Sequence, residues 1–173
     1  MIALFIAAAA GAIQSAPARY EGDWYVSDTT DNITGEREVY AFQSFLKGDD
    51  PNYVTIRMRC SDTKPTIFIE WENLSFPDQT VLTISPILSD GTNPKSEQYI
   101  FQKSEDIIER GLRASPDTSA NIVSTIGNSK HLALVAHLSA GSKSVEIDVS
   151  GTLGAWSRVS RNCPVKLMTL PPK

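Results

Sequence analysis

"VEIDVSGTLGAWSRVSRNC", residues 145–163, runs from a strand through a glycine corner into a helix and stops on a cysteine. Val145, Ile147 and Val149 alternate with Glu146 and Asp148, the period of a strand with one wet face. Beyond Ser150 and Gly151 the period lengthens: Leu153, Trp156, Val159 or Ser160, and Cys163 recur every three or four residues and share one helical stripe. Ser150 or Thr152 is placed to cap a helix that begins near Leu153. Such a stripe holds its helix only when it lies on another element, and a sheet built from strands like 145–149 is the partner at hand.

The strand that the cysteine can reach is readable as well. In "YVTIRMRC", residues 53–60, Val54, Ile56, Met58 and Cys60 point one way and Thr55, Arg57 and Arg59 the other. Cys60 and Cys163 are the only cysteines in the chain. In an exported protein they fit a single disulfide that pins the last helix beside the strand ending at Cys60. Closing a loop of about 100 residues stabilises by roughly 4 to 5 kcal/mol in chain-entropy terms. Two unlinked buried thiols are the alternative reading. Two thiols with the widely separated His131 and His137 lack metal-ligand spacing, so no metal and no other cofactor is expected.

Export itself is read from the N-terminus. The apolar stretch from Ile2 to Ile13 is followed by small residues, and Ala16-Pro17-Ala18 fits the pattern that signal peptidase accepts. A cleavable signal peptide over 1–18 and a single mature β-rich domain over 19–173 are expected. The apolar run is shorter than the roughly 20 residues that span a membrane, so no stable membrane insertion is expected. No cysteine follows it until Cys60, which excludes a lipoprotein signal. A count of 16 Lys and Arg against 20 Asp and Glu, with the basic residues dispersed, leaves no footprint for nucleic acid.

Elsewhere the chain reads mostly as strand. Trp24 to Ser27 and Glu38 to Gln43 form a hairpin or meander around a turn rich in Asp, Asn, Thr and Gly. "TIFIEW" repeats the period of two through Ile67, Ile69 and Trp71 and pairs with the Cys60 strand. "TVLTISPIL" ends at Pro86, which lacks the ladder donor, and Tyr99 to Gln102 follow after the breaker "SDGTNPK". Ser104 and the acidic residues behind it suggest a short, irregular helix. Pro116 and Asp117 open a second helix that carries Ile122, Ile126 and either Val123 or Ser119 inward and closes at Gly127. Leu132, Leu134, Ala136 and Leu138 oppose Ala133, Val135 and His137 in a strand apolar on both faces, which suggests a central position.

The fold expected is mainly β: an antiparallel β-sandwich or partly open barrel of about eight strands with one or two short helices packed on it and one disulfide. Trp71, Trp156, Met58, Ile147 and Val149 are the expected core. Arg57 and Arg59 are either a possible interaction face or the solvated side of a half-buried strand. Catalysis finds little support. Ser150 precedes a glycine but lacks the G-x-S-x-G setting and an evident partnership with His131 or His137. Asp148, Glu70 and Glu72, the candidate paired carboxylates, all project from polar strand faces. Asn32-Ile33-Thr34 and Asn73-Leu74-Ser75 match a glycosylation sequon that is common by chance.

A dispersed set of motifs over about residues 22–163 resembles the TagO/VasI family of type VI secretion-associated exported proteins of Gram-negative bacteria. It comprises "WYVSDTTD", "VTIRMRC" followed by "TIFIEW", "QKSED", Ser115-Pro116, "IVSTI" with "HLALVA", and the closing strand, serine-glycine, helix and cysteine. The resemblance implies a non-catalytic periplasmic accessory protein that acts by protein–protein interaction in the cell envelope, and it supplies no catalytic residues. The reading from another class is a secreted inhibitor or ligand-binding module, for example against a cell-wall hydrolase, encoded on a prophage.

Overall fold

The computed structural model describes residues 14–15, 19–21, 24–30, 37–45, 54–61, 63–88, 95–104, 111–127 and 129–163. They form eleven strands and two helices in one antiparallel sheet. In chain order these are β1 (Gln14–Ser15), β2 (Arg19–Glu21), β3 (Trp24–Thr30), β4 (Arg37–Phe45), β5 (Val54–Ser61), β6 (Lys64–Trp71), β7 (Gln79–Ile87), β8 (Glu97–Ser104), β9 (Gly111–Arg113), α1 (Pro116–Ile126), β10 (His131–Leu138), β11 (Gly141–Asp148) and α2 (Thr152–Arg161). The sheet order is β1-β3-β4-β5-β6-β9-β8-β7-β10-β11, with β2 also on β3. Among the described residues nothing joins β11 back to the β1 and β2 end, so the sheet is open.

One face of this sheet carries the core. Val54, Ile56 and Met58 on β5 stand opposite Trp71, Ile69 and Ile67 on β6, as the alternation requires. Farther along, Ile84, Leu134 and Val145 line up across β7, β10 and β11. Met58, Ile147 and Val149 are fully buried, and Trp71 is nearly so. Trp156 departs from expectation: it is half-buried and packs on the margin of the core.

Both helices lie on that face. Ser115 caps α1 by accepting from Thr118 N–H at 3.1 Å, and Pro116 follows where its missing donor costs nothing. Ser119, Ile122, Val123 and Ile126 all turn inward, so the two positions read as alternatives are both buried. Ser119 has a defined task. The β6–β9 pairing stops at Phe68, leaving the Ile67 edge of β6 open, and there Ile67 N–H donates to Ser119 Oγ at 2.9 Å while Ala114 N–H donates to Ile67 O at 3.0 Å. The start of α1 thus finishes the ladder that β9 leaves short.

The stretch 145–163 behaves as read in outline and differs in detail. The disulfide between Cys60 and Cys163 is formed, with Cα atoms 5.4 Å apart across a separation of 103 residues. Neither Ser150 nor Thr152 caps α2. Asp148 Oδ1 accepts from Ser150 N–H at 2.8 Å, Thr152 Oγ1 donates back to Val149 O, and the N-cap is Gly151 in the left-handed region at φ 86°. The buried positions of the helix are Thr152, Ala155 and Val159, while Leu153 is 46% exposed. Leu153 covers the end of α1 at Gly127, where a Cβ would stand 2.6 Å from its Cδ2.

Other expectations are corrected. β7 continues through Pro86, which sits opposite Leu132. Pairing with β8 has already ended at Ile84, so Pro86 has a neighbour strand on one side only and its missing N–H is tolerated. Ser104 is the last residue of β8, and Gly111–Arg113 is a strand inserted between β6 and β8. Gly111, at φ 114°, meets β6 so closely that a Cβ would lie 2.4 Å from Ile69 O. β10 has partners on both sides but stands next to the edge strand β11. The sequon at Asn32, residues 105–110 of the expected irregular helix, Pro164 with the tail, and residues 1–13 and 16–18 of the expected leader lie outside the described residues. Gln14–Ser15 and Arg19–Glu21 pair with β3.

Candidate interaction face

The face of the sheet away from the helices divides into two unlike surfaces. One register row crosses seven strands: Tyr25, Phe42, Arg57, Phe68, Arg113, Gln102 and Gln79 stand opposite one another in turn. Residues directly opposite in an antiparallel pair share a face, so on the first half, from Tyr25 to Arg113, the row is a continuous strip of aromatic and guanidinium side chains, and Gln102 and Gln79 extend it. The next row runs Ser27, Tyr40, Arg59 and Thr66. Tyr25 and Phe42 pack with ring centroids 4.9 Å apart, and Tyr40 stacks along the strand on Phe42 at 6.1 Å.

Phe68 is the centre of this surface. It is only 2% exposed although it projects from the face opposite the core. The Cζ atoms of Arg59 and Arg113 each lie over the ring, 5.9 Å from its centroid. Arg57, directly opposite Phe68, donates to Glu70 at 2.7 Å. Arg59 lies 3.9 Å from the exposed Glu38, a separation at which an ion pair contributes little. Arg57 and Arg59 are therefore brought together on one surface, as the alternation of "YVTIRMRC" indicates. Tyr25 belongs to the same surface, as do Phe68, Arg113, Tyr40 and Phe42, which the sequence pattern does not mark as a site. A signal for Phe68 existed, since in "TIFIEW" it falls in the polar phase between Thr66 and Glu70.

The second half carries small polar and aliphatic residues. Thr83, Val135 and Ser144 form one row, Ser85, Ala133 and Glu146 another. Val81 and Ile100 face each other, both exposed, and are the nearest apolar pair to the arginine strip. His137 has both ring nitrogens engaged, Nε2 with Thr83 Oγ1 at 2.8 Å and Nδ1 with Ser142 Oγ at 3.2 Å. His131 lies 3.8 Å from Asp148.

The candidate catalytic groups stay apart. Among the described residues no hydrogen bond links Ser150 to either histidine. Glu70 and Asp148 stand five strands apart in the sheet order and engage different partners, Arg57 and His131. Glu72 sits in the turn after β6. The chain matches no protein-family model, no curated protein and no solved structure. Among the described residues no helix is long and apolar enough to cross a membrane.

Proposed function

We propose that this chain is an exported, non-catalytic accessory protein of the cell envelope that works by binding another protein through the outer surface of β3 to β6 and β9. The observation that carries the reading is the row Tyr25, Phe42, Arg57, Phe68 and Arg113 with Tyr40 and Arg59 beside it. Tyr, Phe and Arg are the residue types enriched where proteins bind one another, because they offer large contact area at low entropic cost together with directional donors.

Export is supported by the leader pattern at 1–18 and by the disulfide, which persists in an oxidising compartment. The motif resemblance to the TagO/VasI family favours a periplasmic site of action beside a type VI secretion apparatus or a similar assembly. A photo-cross-linking residue at Tyr40, compared with one at Val135, tests the reading in envelope extract. A discrete protein adduct from Tyr40 and none from Val135 is expected; equal labelling from both positions, or no adduct from Tyr40, contradicts it.

A further inference from the structure

We propose that the Cys60–Cys163 bond is a redox latch: a dithiol that reduces it lets α2 leave the sheet while the strands and α1 stay folded. The latch lies on the inner side and is independent of what the outer surface binds. The two helices are held on that side in different ways. α1 turns Ser119, Ile122, Val123 and Ile126 into the core, and it is hydrogen-bonded to the sheet through Ser119 Oγ to Ile67 N–H and through Thr125 Oγ1 to the Tyr99 hydroxyl at 2.7 Å. α2 buries Thr152, Ala155 and Val159, three short side chains, with Trp156 half-buried. Its first turn bonds to Gly151 and Val149 just ahead of it, and its last turn caps itself from Asn162 and Cys163. Ser160 Oγ is buried with no hydrogen-bond partner among the described residues, so docking keeps dry a hydroxyl that water would satisfy once the helix moved off. The apolar area under α2 is small, and the disulfide is the tie that closes its far end onto β5.

Release of α2 breaks no ladder, because it is the last element among the described residues and no strand follows it in the sheet order. Elements with few buried apolar contacts are the ones that open below the global transition. α2 lies against β2 to β6, where Val26, Ala41, Met58 and Ile67 form one buried row on the inner face. Cys60 follows Met58 in the same phase of β5, so opening at the disulfide bares part of that row. Neither cysteine is buried, which leaves the bond within reach of a thiolate. One sulfur of the dithiol attacks one sulfur of the pair, forming a mixed disulfide and freeing the other cysteine. The second sulfur of the dithiol then closes its own disulfide and frees the remaining cysteine. Two electrons and two protons pass from the dithiol to Cys60 and Cys163.

The test is amide hydrogen exchange read by mass spectrometry on the full chain, oxidised and then reduced with dithiothreitol, with the free thiols counted by alkylation. In the reduced chain the amides of residues 153–162 are expected to exchange within about tenfold of an unstructured peptide, while those of β7 and β10 stay at least about a hundredfold protected. A dye that fluoresces on apolar surface should bind the reduced chain and be released when the bond re-forms. Cys60→Ser combined with Cys163→Ser should show the reduced pattern without any dithiol and no response to one. Full protection of α2 after complete reduction overturns the latch, because the helix is then held by its own contacts. Loss of protection throughout the strands overturns it as well, because the bond is then a staple for the whole fold. So does a bond that dithiothreitol cannot reduce without denaturant.

Discussion

The two halves of the sheet bury one continuous core on their inner side and differ on the outer side. Across β3 to β6 and β9 the outward positions include Tyr25, Tyr40, Phe42, Phe68 and three arginines, with Ser27, Thr55 and Thr66 among them. Across β7, β10 and β11 they include Thr83, Ser85, Ala133, Val135, Ser142 and Ser144, with Val81, His131, His137 and Glu146 among them. Both surfaces follow the same period of two and satisfy the same backbone ladders, so the difference is not demanded by the fold. Large side chains cost conformational entropy when ordered, and the proposed recognition role would account for their place on one half.

The largest effect expected is on the link between the halves. Helix α2 leaves β11 at the end of the second half, lies against strands of the first half, and is bonded there to β5 through Cys163. Cys163→Ser should cost about 4 to 5 kcal/mol and lower the melting temperature by roughly 10 °C or more. Calorimetry under oxidising conditions checks this, and equal melting would separate the staple from stability. Next comes a direct contrast between the outer surfaces. Phe68→Ala should cost about 3 kcal/mol, because a nearly inaccessible ring loses its contacts, those with the two neighbouring guanidiniums included. Thr83→Ala should stay within about 0.5 kcal/mol. Urea titrations that gave similar costs would erase the difference between the halves.

Smaller effects sharpen the inner side. Ser119→Ala should cost about 1 to 3 kcal/mol by leaving Ile67 N–H buried without its acceptor, read as a lower urea midpoint at unchanged slope. Burial, followed by the hydrogen bond to Glu97, raises the Tyr99 phenol above its ordinary value. The phenol therefore ionises more readily in the unfolded chain, and stability from this residue is complete below about pH 10 and falls as pH rises through the folded value. Tyr99→Phe should lose less stability than the parent between about pH 9 and pH 11, by thermal melting across that range.

The sequence carried most of the framework because the framework is periodic. Val54, Ile56 and Met58, the α1 positions 122 and 126 with one of 119 and 123, and the Cys60–Cys163 pairing follow from local period and cysteine arithmetic. What escaped depends on contacts distant in the chain. Gly111–Arg113 is a strand only because β6 and β8 present edges to it, and Leu153 lies over the end of α1 at Gly127 instead of in the core. Arg57 and Arg59 were legible as an outward pair. Their surface was not, because the row joining Tyr25 to Arg113 exists only once five strands are in register.

The account rests on the unequal outer surfaces serving unequal ends, and matched charge insertion tests that directly. Arg59→Glu with Arg113→Glu places two acids on the first half, and Thr83→Glu with Ser144→Glu places two on the second. With melting temperatures measured alongside, the partner captured by the Tyr40 cross-link should be lost from the first double variant and retained by the second. Equal retention by both, or loss from the second alone, would contradict the account.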